Sequence, residues 1–301
     1  MAVAPAGTAA ARRAAVLGSP VAHSLSPVLH RAGYRELGLT GWSYDAIECD
    51  EQGLPGFLGS LGPDWAGLSL TMPLKRAVLP LLDDAEQLAL DVGAANTVLL
   101  HDGRRRGYNT DVRGMVTALR QAGVTTNGNA LILGSGATAC SALAALREIG
   151  AWDISVAVRS RPRAEPLRAV AGRLGLEVRL IQLGAVPSAG AGAGAGAGLG
   201  RARWQLLIST IPAVGAATVA SQIRAGKVQA DAVFDVVYDP WPTALAEAAG
   251  AAGLHVISGY ELLVHQAVGQ FELMTGRPAP VPAMRAAGLA ELARRRNILA
   301  G

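Results

Sequence analysis

Cysteine is almost missing: Cys49 and Cys140 are the only two in 301 residues, and neither has a metal-ligand partner nearby. That argues against a disulfide framework or a zinc site, so no metal is expected, and it fits a reducing compartment. Aromatic residues make up only 4% of the chain. Ala, Leu and Val must therefore fill the core, which can be substantial because 50% of residues are hydrophobic. No apolar run is long enough for a membrane span, since Gly, Ser or charge interrupts each one. The small-residue tail Met1 to Arg13 lacks an apolar signal segment, so a cytoplasmic location is expected. Concentrated charge of one sign is also lacking. The net charge is +4, but the triplets Arg104–Arg106 and Arg294–Arg296 fall at a hairpin tip and near the C-terminus. They are read as solvated, which argues against nucleic-acid binding. The length suits one large or two ordinary domains.

What is present centres on Ala130 to Cys140. Leu131, Ile132 and Leu133 read as a short buried strand, and Thr138 to Ile149 reads as a helix. Between them Gly134-Ser135-Gly136-Ala137-Thr138-Ala139 gives the spacing G-x-G-x-x-A. Gly134 allows a sharp turn, Gly136 lets backbone N–H groups approach a pyrophosphate, and the helix N-terminus faces the negative charge. Such a turn also occurs where a helix merely packs tightly on a strand, so this motif alone leaves both readings open.

Upstream, Ala14 to Leu17 is a strand candidate followed by His23-Ser24-Leu25-Ser26-Pro27. Pro27 suits the first helical position and Ser26 the N-cap, with the helix running to Leu37. Ser24 precedes the cap and has no such local use. A hydroxyl pair at a helix mouth could bind a polyol or a carboxylate. Trp42 to Ile47 and Ala66 to Leu70 read as strands, and Leu54 to Leu61 as a helix. Thr71-Met72-Pro73-Leu74-Lys75 then puts a lysine in the first turn of a helix, where the dipole disfavours a cation; it is either an ordinary surface lysine or one with a task. Asp83 to Leu90 reads as helical. Gly93-Ala94-Ala95-Asn96-Thr97 leads into a hairpin of Val98 to Leu100 and Arg106 to Asn109. Gly107-Tyr108-Asn109-Thr110-Asp111 precedes a helix over Val112 to Ala122. Asp111 is that helix's N-cap or a functional carboxylate, and Asn96 a left-handed turn residue or a ligand.

Taken in order, these four segments and the glycine turn resemble the shikimate dehydrogenase family, from about Ala14 to Gly276. The resemblance implies two α/β domains with a cleft between them. One is an N-terminal substrate-binding catalytic domain of residues 12–113 and 258–301. The other, residues 114–257, is Rossmann-like and binds NADP. The implied reaction is the reversible NADPH-dependent reduction of 3-dehydroshikimate to shikimate, in the shikimate pathway of aromatic amino acid biosynthesis. Lys75 is then the acid/base and Asp111 orients it. Ser24, Ser26 and Tyr238 hold the substrate carboxylate, while Thr71, Asn96 and Gln266 hold ring hydroxyls. Ser69 departs from the asparagine usual in the family.

The cofactor half follows the same resemblance. A strand over Ile154 to Val158 ends in Arg159-Ser160-Arg161-Pro162-Arg163. An NAD site usually has an acidic residue there; arginine suits a 2′-phosphate. NADP-using members carry Asn-Arg-Thr where this chain has Val158-Arg159-Ser160, and Cys140 stands where many have arginine. Val178 to Leu183 and Gln205 to Ile208 are strands flanking Ser188 to Gly200, an alternating Ala-Gly stretch read as a surface loop. Ser209-Thr210-Ile211-Pro212 is similar to the family's Asn-Ala-Thr-Pro loop beside the nicotinamide. Gly134, Ser135, Gly136, Ala137, Thr138, Arg159, Ser160, Thr210, Pro212 and Gly259 are the expected NADP(H) contacts. Ala232 to Val237 and His255 to Ile257 are strands; Thr243 to Ala252, Glu261 to Met274 and Val281 to Leu299 are helices. Family members occur as monomers or homodimers. Two alternatives stay open: a quinate/shikimate dehydrogenase with NAD or mixed cofactor use, and a non-catalytic ligand-sensing relative, which has no need of both Lys75 and Asp111.

Overall fold

Arg12–Gly18 (β1) is buried from Ala14 onward on both faces, as a central parallel strand requires. The computed structural model describes residues 11–125, 128–183 and 203–300. The Ala-Gly stretch 188–200 and the tail before residue 11 lie outside the described residues. Arg12 and Arg13 belong to β1 rather than to that tail, with the Arg13 guanidinium 4.5 Å over the Trp65 ring.

The chain divides into two compact units. The first holds the described residues up to Ala89, Ala95–Thr110, and the chain from Ala267 on. After β1 come α1 (Ser26–Glu36), β2 (Trp42–Glu48), α2 (Leu54–Gly59), β3 (Trp65–Leu70), α3 (Leu74–Ala77), β4 (Asp84–Ala85), α4 (Gln87–Val92), β5 (Thr97–His101) and β6 (Arg104–Tyr108). Its six strands run β2-β1-β3-β5-β6-β4. β1 pairs in parallel with β2 and β3, and the β5–β6 hairpin adds antiparallel to β3. Asp102 and Gly103 turn that hairpin with φ of 50° and 73°. The helix expected from Asp83 begins only at Gln87, because Asp83 and Asp84 are held against β6. The Asp83 N–H donates to the Arg105 carbonyl, and Asp83 Oδ2 accepts the Arg105 N–H at 2.7 Å.

The second unit holds Leu90–Ala94 and Asp111–Gln266. The remaining elements, of which α11 and the end of α10 belong to the first unit, are α5 (Thr110–Gln121), β7 (Asn129–Leu133), α6 (Ala137–Glu148), β8 (Asp153–Val158), α7 (Glu165–Arg173), β9 (Val178–Gln182), β10 (Arg203–Ser209), α8 (Ala213–Arg224), β11 (Gln229–Asp235), α9 (Ala244–Ala251), β12 (His255–Ser258), α10 (Gly259–Thr275) and α11 (Val281–Ala300). The second sheet is wholly parallel in the order β12-β11-β10-β7-β8-β9. The order reverses between β7 and β10, the switch point at which doubly wound sheets bind ligands beyond their strand ends. Helices α7 and α8 were not expected from sequence. The α7 signal was there to be read: Leu167, Val170, Ala171 and Leu174 recur at helical spacing and are buried. Around α8, Ala216, Val219, Ala220 and Ile223 pack on Leu131, Leu207 and Val233 in one apolar core.

Candidate active site

In the first unit the site is built where β1 and β3 end side by side. The Thr71 N–H donates to the Leu17 carbonyl at 2.9 Å, and the Ser19 N–H to the Met72 carbonyl at 3.0 Å. Gly18 has no Cβ, and the Thr71 methyl fills the space one would occupy. The Leu74 N–H donates to the Thr71 carbonyl, starting α3, and Leu74 is fully buried. The Lys75 carbonyl accepts the Ala95 N–H at 2.8 Å, tying the lysine to the Gly93–Thr97 segment. Since α3 is a single turn, Lys75 counts in its last turn as well as its first. The helix dipole therefore does not disfavour a cation at this position, and Lys75 is distinguished by its anchoring.

The serine pair trades the expected roles. Ser26 is the first residue of α1 and Leu25 occupies the cap position, without a side-chain cap. Ser24 Oγ accepts the Ser26 N–H at 3.2 Å. It is Ser24 that caps, using a lone pair and leaving its O–H to donate. The Ser26 side chain is buried.

Asn96, 1% exposed, is clamped onto the start of α5. Its Oδ1 accepts the Thr110 N–H at 2.8 Å, and its Nδ2 donates to Thr110 Oγ1 at 2.9 Å. It is no left-handed turn residue: among the described non-glycine residues only Asp102 has positive φ. Asp111 follows Thr110 as the second residue of α5, within the first turn and not at the cap, and is buried.

His30 lies one turn beyond Ser26. Its Nδ1 is 2.9 Å from the Ser26 carbonyl, and its ring stacks on Tyr44 at 4.0 Å between centroids. Its Nε2 is buried without a partner. Burial lowers its pKa to about 4 from 6.5. Below pH 6.5 the unfolded chain takes up a proton that the native ring refuses. Stability is therefore expected to fall as pH drops from about 6.5 towards about 4, by about 3 kcal/mol in all. Denaturant midpoints measured across that range for wild type and His30→Phe check this; the variant should show the flatter acid limb.

In the second unit the glycine corner lies at the carboxyl end of β7. Gly134 has φ of +107°, and a methyl group there would come 2.7 Å from Thr210 Oγ1 and 2.8 Å from Ile211 Cγ2. Thr210 Oγ1 in turn donates to the Leu133 carbonyl at 2.7 Å, so the ends of β7 and β10 are locked together at the switch point. Gly136 is extended and caps α6, and the space a side chain would take there is open. Ser135, Ala137 and Thr138 complete the loop, half-buried. Arg159 and Ser160 follow β8, the arginine exposed. A turn bare of side chains at a helix N-terminus, with an exposed guanidinium at the next strand end, fits an NADP pyrophosphate and 2′-phosphate. Cys140 is fully buried within α6 and offers no charge to a ligand. Pro212 caps α8, and Tyr238 follows β11, half-buried. Gly259 opens α10 against the Val236 backbone, an approach only glycine permits. Gln266, 9% exposed, donates from Nε2 to the Leu263 carbonyl at 2.9 Å. A methyl at Gly114, one turn past Asp111, would come 3.0 Å from the Gln266 N atom, so α5 and α10 pack closely there.

Sequence reasoning missed Tyr44, Thr97 and Gln270, and set Ser69 aside. All four are buried in the first unit and hydrogen-bonded among themselves. The one local signal was Gln270 at four residues past Gln266, on the same helical face. Among the described residues no helix is long and apolar enough to cross a membrane, and no group of three His, Cys, Asp or Glu could hold a metal ion.

Residues 16–98 match the shikimate dehydrogenase substrate binding domain, and residues 259–287 the shikimate 5'-dehydrogenase C-terminal domain. The NADP(+) shikimate dehydrogenase of Thermus thermophilus is 37% identical over 94% of this chain and 98% of its own. Among solved structures, Mycobacterium tuberculosis shikimate dehydrogenase superposes with a TM-score of 0.78 at 43% identity, covering 93% of this chain and 99% of that one. The Thermus thermophilus enzyme, solved in complex with NADP(H) and shikimate, superposes with a TM-score of 0.75 at 33% identity, over 93% of this chain and 99% of that one. Motif order, both sheets and relatives matching nearly end to end agree: the chain belongs to the shikimate dehydrogenase family.

Proposed function

We propose that the chain reduces 3-dehydroshikimate to shikimate reversibly with NADPH, in the cytoplasm, as a step of the shikimate pathway to aromatic amino acids. What supports this reading is the first unit's set of hydroxyl and amide groups, Ser24, Ser26, Thr71 and Asn96, with a lysine whose backbone carbonyl accepts the N–H of Ala95, next to Asn96. A carboxylated cyclohexene triol calls for such a set. Bound NADPH supplies the hydride. The protein must hold the carbonyl and deliver a proton to its oxygen, and Lys75 is the group for that task, with Asp111 as its partner carboxylate. Ser24, Ser26 and Tyr238 take the carboxylate of the substrate; Thr71, Asn96 and Gln266 take its hydroxyls. Gly134, Ser135, Gly136, Ala137, Thr138, Arg159, Ser160, Thr210, Pro212 and Gly259 hold the cofactor. Residues 12–113 and 258–301 form the substrate-binding domain, and 114–257 the NADP-binding domain.

The test is loss of reduced-nicotinamide absorbance with 3-dehydroshikimate, run beside NADH and beside 3-dehydroquinate. Fast turnover with NADPH and 3-dehydroshikimate alone is expected. Comparable rates with NADH or 3-dehydroquinate would move the chain to the quinate/shikimate group, and shikimate binding without turnover would make it a sensor. Within this reading, Ser24→Ala removes one donor to a carboxylate, a charge-assisted bond of about 1.5–3 kcal/mol. KM for 3-dehydroshikimate is expected to rise about tenfold or more, with kcat changed less than about twofold. Steady-state kinetics with the substrate varied check it; an unchanged KM removes Ser24 from the site.

A further inference from the structure

We propose that Tyr44 and Gln270 are positioning residues, joined by one buried hydrogen-bond chain that fixes the side chain of Asn96 and so sets affinity for the substrate. This rests on the reading of Asn96 as a substrate ligand. The chain is continuous. The Tyr44 hydroxyl donates to Ser69 Oγ at 2.5 Å. Ser69 Oγ donates to Gln270 Oε1 at 2.8 Å. Gln270 Nε2 donates to the Asn96 carbonyl at 3.1 Å and to Thr97 Oγ1 at 3.2 Å. Thr97 Oγ1 donates to Asn96 Oδ1 at 3.0 Å. No member is more than 5% exposed.

Each hydroxyl has a single proton to give. Because Gln270 Nε2 donates to Thr97, the threonine must turn its own proton onto Asn96 Oδ1. That oxygen also accepts the Thr110 N–H. A flipped Asn96 amide would press its NH₂ group against two donors, so its orientation is locked. At the other end, stacking on His30 at 4.0 Å holds the Tyr44 ring, and with it the hydroxyl that donates to Ser69. Buried polar groups are costly unless all are satisfied, and apolar residues would fill the same core. A satisfied chain that ends on a ligand side chain has a purpose that packing alone does not supply. The five polar side chains that lead to and surround Asn96 come from four elements, β2, β3, β5 and α10, plus the start of α5.

The experiment compares wild type, Tyr44→Phe, Gln270→Met and the double variant. It reads kcat, KM for 3-dehydroshikimate, KM for NADPH, thermal midpoint, and shikimate affinity by calorimetry. Each single variant is expected to raise KM for 3-dehydroshikimate by about five- to tenfold and to weaken shikimate binding alike. KM for NADPH should stay within about twofold. Because both residues act through one chain, the double variant should raise KM by less than the product of the singles. If Gln270→Met fails to fold, Tyr44→Phe, which removes one oxygen atom, carries the test. An unchanged substrate KM in a folded variant, an equal rise in both KM values, or a fully multiplicative double variant would overturn the proposal. Wild type that turns over beside variants indistinguishable from it refutes the positioning role alone; wild type without turnover refutes the proposed activity instead.

Discussion

Lys75→Ala is expected to lower kcat for 3-dehydroshikimate by about a thousandfold, within the range of about 10²–10⁴ that a positioned acid or base contributes. KM for either ligand should change much less, because the lost interaction belongs to the transition state. The fold should survive. Leu74, fully buried, fixes α3 from one side, and the Lys75 carbonyl, which alanine retains, still accepts the Ala95 N–H. The loss can therefore be read as chemistry. Steady-state kinetics with each ligand varied check it: kcat should fall while both KM values stay near those of the wild type. Turnover near the wild-type level would remove Lys75 from the proton transfer, whatever its place beside Asn96.

Gly134→Val should act on both stability and cofactor binding. The φ of +107° is closed to a β-branched residue, and the added carbon would meet Thr210 Oγ1 at 2.7 Å and Ile211 Cγ2 at 2.8 Å. Backbone strain of about 1–3 kcal/mol and overpacking of about 1–3 kcal/mol act together. The lock between Thr210 and the Leu133 carbonyl must yield as well. A destabilised second unit and loss of measurable NADPH binding are expected, read by denaturant unfolding and by nucleotide titration. Gly136→Ala separates the two effects. Its backbone is extended and the space above it open, so the variant should fold normally. A methyl placed where a pyrophosphate approaches should still weaken NADPH binding by about tenfold or more. Wild-type NADPH affinity in a folded Gly136→Ala would move the pyrophosphate away from this turn.

Much of the fold was legible because its signals are local. The β7 strand, its glycines and α6 follow one another without interruption, and the β5–β6 hairpin is announced by His101-Asp102-Gly103. The departures have physical causes too. The acidic stretch from Asp83 looks helical, yet its backbone satisfies itself against Arg105, far along the chain. Ser26 beside Pro27 looks like a cap; Ser24, two residues earlier, reaches the N–H in its place. Helix α7 was overlooked although its apolar residues keep a helical period.

By itself the sequence determined the order of the motifs, the glycine turn, the arginine after β8 and the candidate groups Lys75, Asp111, Ser24, Ser26 and Asn96. Each is a short run in which a residue type and its neighbours suffice to suggest the chemistry. Only the tertiary structure decided how the side chains of the first unit are held. Ser69 and Gln270 are 201 residues apart, and Tyr44 and Ser69 25 apart. A hydrogen bond between such partners leaves no period or spacing in the sequence. It arises because the packing of α1, β2, β3, β5 and α10 buries these polar groups together, where each must find its partner among the others.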